Sequence, residues 1–322
     1  MTLRHETWFT TERPAFDWSF AVEPASLAMI GGAVLIAVAA RLAARRLPTP
    51  ELRPLGFLGR LSPYVPRLLA IHAGVSLLAQ AARGTYLSPA IALPDTWYGS
   101  AVAIAEGIVG VWLITGYRVR PAAALLVAAG PIGMAFSGPL PILERMDLLG
   151  IALFLAMLPP GHEPAGAVRA RPAAVAPPLF ALRTLVGGAL ILLAFTEKLA
   201  RPDLALAFLD RYPAFNIMRT VGLGVSDELF VRIAGGVELL FGLLLVSGAL
   251  PQVAVILAGI PFNATLFFLG AEELIGHLPV YGAMLAILVY GSDPGIAPVV
   301  PWFPGSRRAV VWAERSGRLE AA

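Results

Sequence analysis

The chain has 322 residues, 57% of them apolar and only 14% charged, with a mean hydropathy of +0.75. Soluble domains carry roughly a quarter charged residues, so this chain lacks the polar surface needed to live in water. A net charge of +3 with no basic, aromatic-interleaved run argues against nucleic acid, and the absence of cysteine excludes disulfides, thiolate chemistry and Cys-based metal or cluster sites.

Residues 1–24 mix charges with aromatics (Trp8, Phe9, Phe16, Trp18, Phe20) and lack the basic start of a cleavable signal peptide. They read as a segment outside the membrane. A first apolar helix at 25–45 ends in Arg41, Arg45 and Arg46, and its loop runs to residue 60. Further apolar segments lie at 66–83, 98–117, 121–137 and 142–158 in a unit spanning 61–160. A Pro/Ala-rich stretch at 161–177 reads as a linker. Four more segments, at 178–199, 229–249, 251–270 and 274–291, form a unit spanning 178–292. About 20 apolar residues cross a bilayer as helix, so the expected fold is an all-α polytopic transmembrane bundle of nine spans. The tail, 293–322, carries Trp302, Arg307, Arg308, Trp312 and Arg315 and reads as a cytoplasmic interfacial segment. With the amino terminus outside, fifteen of the 24 Lys and Arg residues fall on the cytoplasmic side and nine outside. The expected location is therefore the cell membrane, multi-pass, with the amino terminus outside and the carboxyl terminus inside.

The two four-helix units match at an offset of 132. Glu106 meets Glu238, Gly110 meets Gly242, Thr115 meets Ser247, Gly116 meets Gly248 and Gly150 meets Gly282. Four helices per unit give both copies one orientation, so these are parallel repeats behind one extra helix.

At these residues the chain resembles the DoxX-like family of four-helix membrane proteins. The likeness is best over 178–292. Arg183 leads the first helix, Lys198 and Leu199 close it, Glu238, Gly242, Leu245 and Gly248 mark the second, and His277 stands near the start of the fourth. The first unit keeps Glu106 and Gly110 but has Arg145 at the histidine place. The resemblance implies a membrane subunit in a quinone-linked redox process, with a partner protein supplying the redox centre. Quinone is the one ligand it suggests, and no intrinsic cofactor is expected.

The residues themselves leave the function open. Glu106 and Glu238 lie midway along their spans, where a charge costs about 2.5–3.5 kcal/mol and therefore faces the bundle or a cavity. They read as structural hydrogen-bonding groups, as ligands for a polar-headed lipid, or as carriers on a proton or ion path. The same three readings give a quinone-binding subunit, a non-enzymatic scaffold of a membrane complex, or a small proton-coupled transporter. Glu197, Lys198, Arg201, Asp203, Glu272, Glu273 and His277 cluster at loop ends. They read either as solvated interfacial charge or as a polar pocket in which His277 meets Glu272, Glu273 or Glu197. Asn263 is expected below that pocket, partnering carbonyls that Pro261 frees. Arg232 reads as an outer-interface anchor, His72 as a hydrogen-bonded packing residue, and 202–228 as a short helix lying on the interface or capping the bundle. Scattered histidines (His5, His72, His162, His277) give no metal spacing, so no metal site is expected.

Overall fold

A computed structural model describes residues 14–163 and 165–304. The expectations for Trp8, Phe9, Arg307, Arg308, Trp312 and Arg315 fall outside those residues.

The protein is an all-α polytopic bundle, with one short hairpin as its only sheet among the described residues. The principal helices are α1 (Pro24–Ala43), α2 (Val65–Ala82), α3 (Trp97–Thr115), α4 (Val119–Ser137), α5 (Met146–Met157), α6 (Pro172–Leu193), α7 (Pro202–Arg211), α8 (Asp227–Ser247), α9 (Pro251–Leu269) and α10 (Ala271–Ser292). The hairpin pairs β1 (Thr85–Tyr86) with β2 (Ser88–Ala92) between α2 and α3.

Eight described helices are long and apolar enough to cross a bilayer, against nine expected. The difference lies at 142–158. That stretch is broken into Pro139–Leu143 and α5, a helix of 12 residues. At 1.5 Å per residue α5 spans about 18 Å, short of a hydrocarbon core of roughly 30 Å. The break falls at Arg145, whose guanidinium bonds the Gly276 carbonyl at 3.1 Å and pairs with Asp147 at 3.2 Å. Both side chains are buried, so the charges are neutralised by each other and by backbone.

The stretch 161–177 also differs from a plain linker. Helix α6 begins at Pro172, in the first turn where a missing N–H costs nothing, and runs on through Pro177 and Pro178.

Corresponding contacts recur in the two units, the partners on α3 and α8 at the 132-residue offset and those on α2 and α6 at a smaller one. In one unit α2 crosses α3 with Gly74 against the Gly110 carbonyl; in the other α6 crosses α8 with Gly187 against the Gly242 carbonyl. A Cβ at Gly74 or Gly187 would lie 2.5 or 2.6 Å from those oxygens, so only glycine permits the approach. Arg67 donates to the Leu113 carbonyl (3.4 Å) and Arg183 to the Leu245 carbonyl (3.1 Å). Beside them α3 and α8 each end on a left-handed glycine, Gly116 (φ 74°) and Gly248 (φ 63°). The fourth helix of each unit packs on the first helix of the other. Gly150 of α5 meets α6 at Leu182 and Leu185, and Gly282 of α10 meets His72 of α2. His72 also bonds the Leu68 carbonyl through Nδ1, at 2.7 Å, which is the packing role expected of it.

Helix α1 lies against α8 at the bundle edge. Arg232 holds it there. The side chain is buried rather than snorkelling as an interfacial anchor. It bonds Ser26 Oγ at 3.1 Å, pairs with Glu23 and with Glu228 (2.6 Å), and lies over the Phe20 ring at 4.1 Å. The aromatic tip of the amino-terminal segment gives this arginine a face to cover, and covering it removes the arginine from lipid.

Candidate functional site

The second unit contains a cleft of about 200 Å³ between α6, α7, α8, α9 and α10. That size suits a single small ring. Its walls are apolar: Phe208 and Phe215 from the segment after α6, Phe230, Ala234, Val237 and Phe241 from α8, and Pro261, Phe262, Thr265 and Leu269 from α9. Charged groups converge at one end, where Lys198, Glu238, Glu273 and His277 line it.

Local sequence explains how each arrives. Helix α6 widens into a π-turn at Ala194–Leu199. This shifts the helical register, a device frequent at functional sites. Lys198 then faces the cleft while Glu197 faces the bundle interior. Helix α8 is started by Ser226, whose hydroxyl accepts the Leu229 N–H, with Asp227 and Glu228 in the first turn. Glu238 follows three turns later on the face toward Lys198. Lys198 Nζ lies 3.1 Å from Glu238 Oε2 and 3.9 Å from Glu197 Oε2. On α10, Glu273 and His277 are one turn apart, with Nδ1 to Oε1 at 3.2 Å. The imidazole stands edge-on to Phe262, ring centroids 5.1 Å apart, and Tyr281 donates to the Phe262 carbonyl at 2.7 Å.

Behind this polar end is a much smaller chamber of about 30 Å³ between the two units, large enough for water only. Glu238, His277, Phe262 and Leu190 line both spaces. The chamber adds Glu144, Arg145, Asp147, Glu197 and Ser88. Glu144 accepts from Thr196 at 2.9 Å. Sequence reasoning did not single out Glu144, Asp147 or the aromatic walls. Two charges two residues apart inside an apolar segment, Arg145 and Asp147, were the available signal for the chamber.

Of the six residues singled out in the sequence, Lys198, Glu238, Glu273 and His277 come together. Asn263 does not: it is exposed on the opposite side of α9 and donates to the Gly259 carbonyl at 2.7 Å. A partner one turn back on its own helix satisfies it, and the carbonyl that Pro261 frees belongs to a different residue, Leu257. Glu106 lies in the first unit, buried, with Oε1 accepting the Leu87 N–H at 2.9 Å. Arg201 stacks over Phe16 at 4.0 Å instead of entering the cleft. Of Glu272 only the helical backbone position is described.

Val237 and Pro261, both exposed and both midway along their helices, form the rim. The cleft therefore opens sideways between α8 and α9, midway along two helices of membrane-spanning length. No family model, no curated protein and no solved structure matches the chain.

Proposed function

We propose that the protein is a membrane subunit whose second unit binds a ring-headed, quinone-type lipid, in support of a redox process whose redox centre a partner protein supplies. The observation that carries this reading is the lateral cleft: apolar walls open to lipid, ending in the Lys198–Glu238 and Glu273–His277 pairs. A lipophilic molecule reaches such a site without leaving the bilayer, and the polar groups at its end orient a polar head. When bound, a quinone-type lipid would supply electron and proton exchange. The chain's own residues bind the ring, fix the head at Glu238 and Lys198, and keep bulk water away with Phe208 and Phe215.

The DoxX-like resemblance and the internal duplication point the same way. The bias of Lys and Arg favours an amino terminus outside, and with Pro139–Leu143 and α5 together making one crossing the cleft lies toward the outer face. The test is mass spectrometry of the gently solubilised protein. A quinone-type lipid and a redox partner chain should co-purify, and Glu238→Gln with His277→Ala should strip the lipid from a folded protein. Undiminished lipid in both variants would sink the reading.

A scaffold role has one observation in its favour. Glu106 is engaged by backbone in the first unit, so a midspan carboxyl here serves structure. On that reading Glu238→Gln lowers stability in detergent and leaves co-purifying lipid unchanged.

A further inference from the structure

In the first unit the place corresponding to the cleft is filled by the chain itself. The hairpin inserts Tyr86 between the helices: its hydroxyl donates to the Ala129 carbonyl at 2.8 Å and its ring stands edge-on to Phe136, centroids 5.2 Å apart. A Cβ at Gly133 would lie 2.9 Å from the ring, so glycine there makes room for it. The next residue, Leu87, takes a left-handed conformation (φ 55°) and gives its N–H to Glu106 Oε1 at 2.9 Å. Burial and the neighbouring Glu106 push the Tyr86 phenol up to about 12, so it stays a donor at any physiological pH.

Advancing by 132 residues turns Ala129, Gly133 and Glu106 into Pro261, Thr265 and Glu238, and all three line the open cleft. The second unit has no such hairpin. The segment after α6 folds instead into α7 and the turn at Pro213–Phe215, which roof the cleft with Phe208 and Phe215.

Resting on the reading of the cleft as a site for a ring-headed lipid, we infer that it takes the form that donates a hydrogen bond: a phenol or hydroquinone head whose hydroxyl reaches the Glu238 carboxylate. Tyr86 and Leu87 act as a built-in copy of that ligand: a planar ring whose hydroxyl donates to the Ala129 carbonyl and, beside it, an N–H donor given to the matching carboxylate. An ionised carboxylate only accepts hydrogen bonds. Lys198, the cation at this end, is already set between Glu238 and Glu197. A quinone head, which offers only carbonyl acceptors, can accept from Lys198, His277 or Thr265 but gives Glu238 nothing, so it forgoes the donor bond that the first unit's carboxylate receives, and it binds more weakly. The tail leaves between Val237 and Pro261.

The experiment uses the full chain in lipid nanodiscs and three probes with one decyl tail: an alkylphenol, an alkylhydroquinone held reduced, and the matching alkylbenzoquinone. The phenol and hydroquinone should bind once per chain and the quinone about tenfold more weakly, a difference of about 1.4 kcal/mol. Glu238→Gln should level the three affinities. Thr265→Phe, which fills the place of the ring and leaves every charge, should abolish all three, and a retained thermal transition certifies that each variant folds. A quinone that binds as tightly as the phenol overturns this inference and leaves the lipid-site reading standing. Binding that survives Thr265→Phe overturns it as well, by placing the ligand elsewhere. Failure of all three probes to bind the wild type overturns both.

Discussion

Glu106 accepts the backbone N–H of Leu87 at 2.9 Å, and together with the Tyr86 hydroxyl on the Ala129 carbonyl this bond seats the hairpin tip inside the first unit. Glu238, 132 residues later, faces Lys198 instead. The same midspan acid is thus held by backbone in one unit and by an ammonium group in the other.

Removing the acceptor in the first unit leaves a buried amide unpaired. Glu106→Ala should lower stability by about 1–3 kcal/mol, and Glu106→Gln by less, because the amide oxygen still accepts from Leu87. Thermal unfolding in mild detergent compares the two. Equal losses would show that the charge, not the hydrogen bond, holds the hairpin.

The paired crossings make a symmetric prediction. Gly74→Val and Gly187→Val each drive a side chain into a facing carbonyl at a contact where a Cβ already clashes. Each should cost about 1–3 kcal/mol or more, since backbone cannot yield as a flexible side chain does. Gly107→Ala on α3 is the control: a Cβ there meets nothing closer than 3.5 Å. Melting temperatures of the three variants read the difference.

Arg232 links α1 to the bundle through groups of unequal exposure. Glu23 and Glu228 are about half exposed, so Glu23→Ala alone should cost less than about 1 kcal/mol. Arg232→Ala removes the Ser26 bond and the contact over Phe20 as well. It should raise hydrogen exchange through Pro24–Ala43 while α10 stays protected. Uniform exchange across both helices would place the latch elsewhere.

Arg183 is buried and donates to the carbonyls of Leu245, Val246 and Trp302, beneath the rings of Phe180 and Phe303. Lysine carries the same charge but not the planar fork that reaches several acceptors. Arg183→Lys should therefore destabilise the protein by about 1.5–3 kcal/mol, read as an earlier transition in thermal unfolding.

The sequence by itself determined the solvent, the helical class and the positions of seven long spans beyond α1, because apolar runs of membrane length admit few other structures when every backbone group must be satisfied internally. It also marked Lys198, Glu238, Glu273 and His277, since ionisable groups near apolar segments are rare enough to stand out. What it left undecided was direction. Asn263 and Pro261 lie two residues apart on α9, yet only the proline faces the cleft, and helical rotation assigns that only once α9 is docked on α10. The break at Arg145 needed the Gly276 carbonyl from the other unit to complete it, a partner 131 residues away. The filled first cleft and the open second one differ because a short loop folded into a hairpin and a longer one into α7. Tertiary packing made that choice, through a Tyr86 ring that fits only where Gly133 leaves it room.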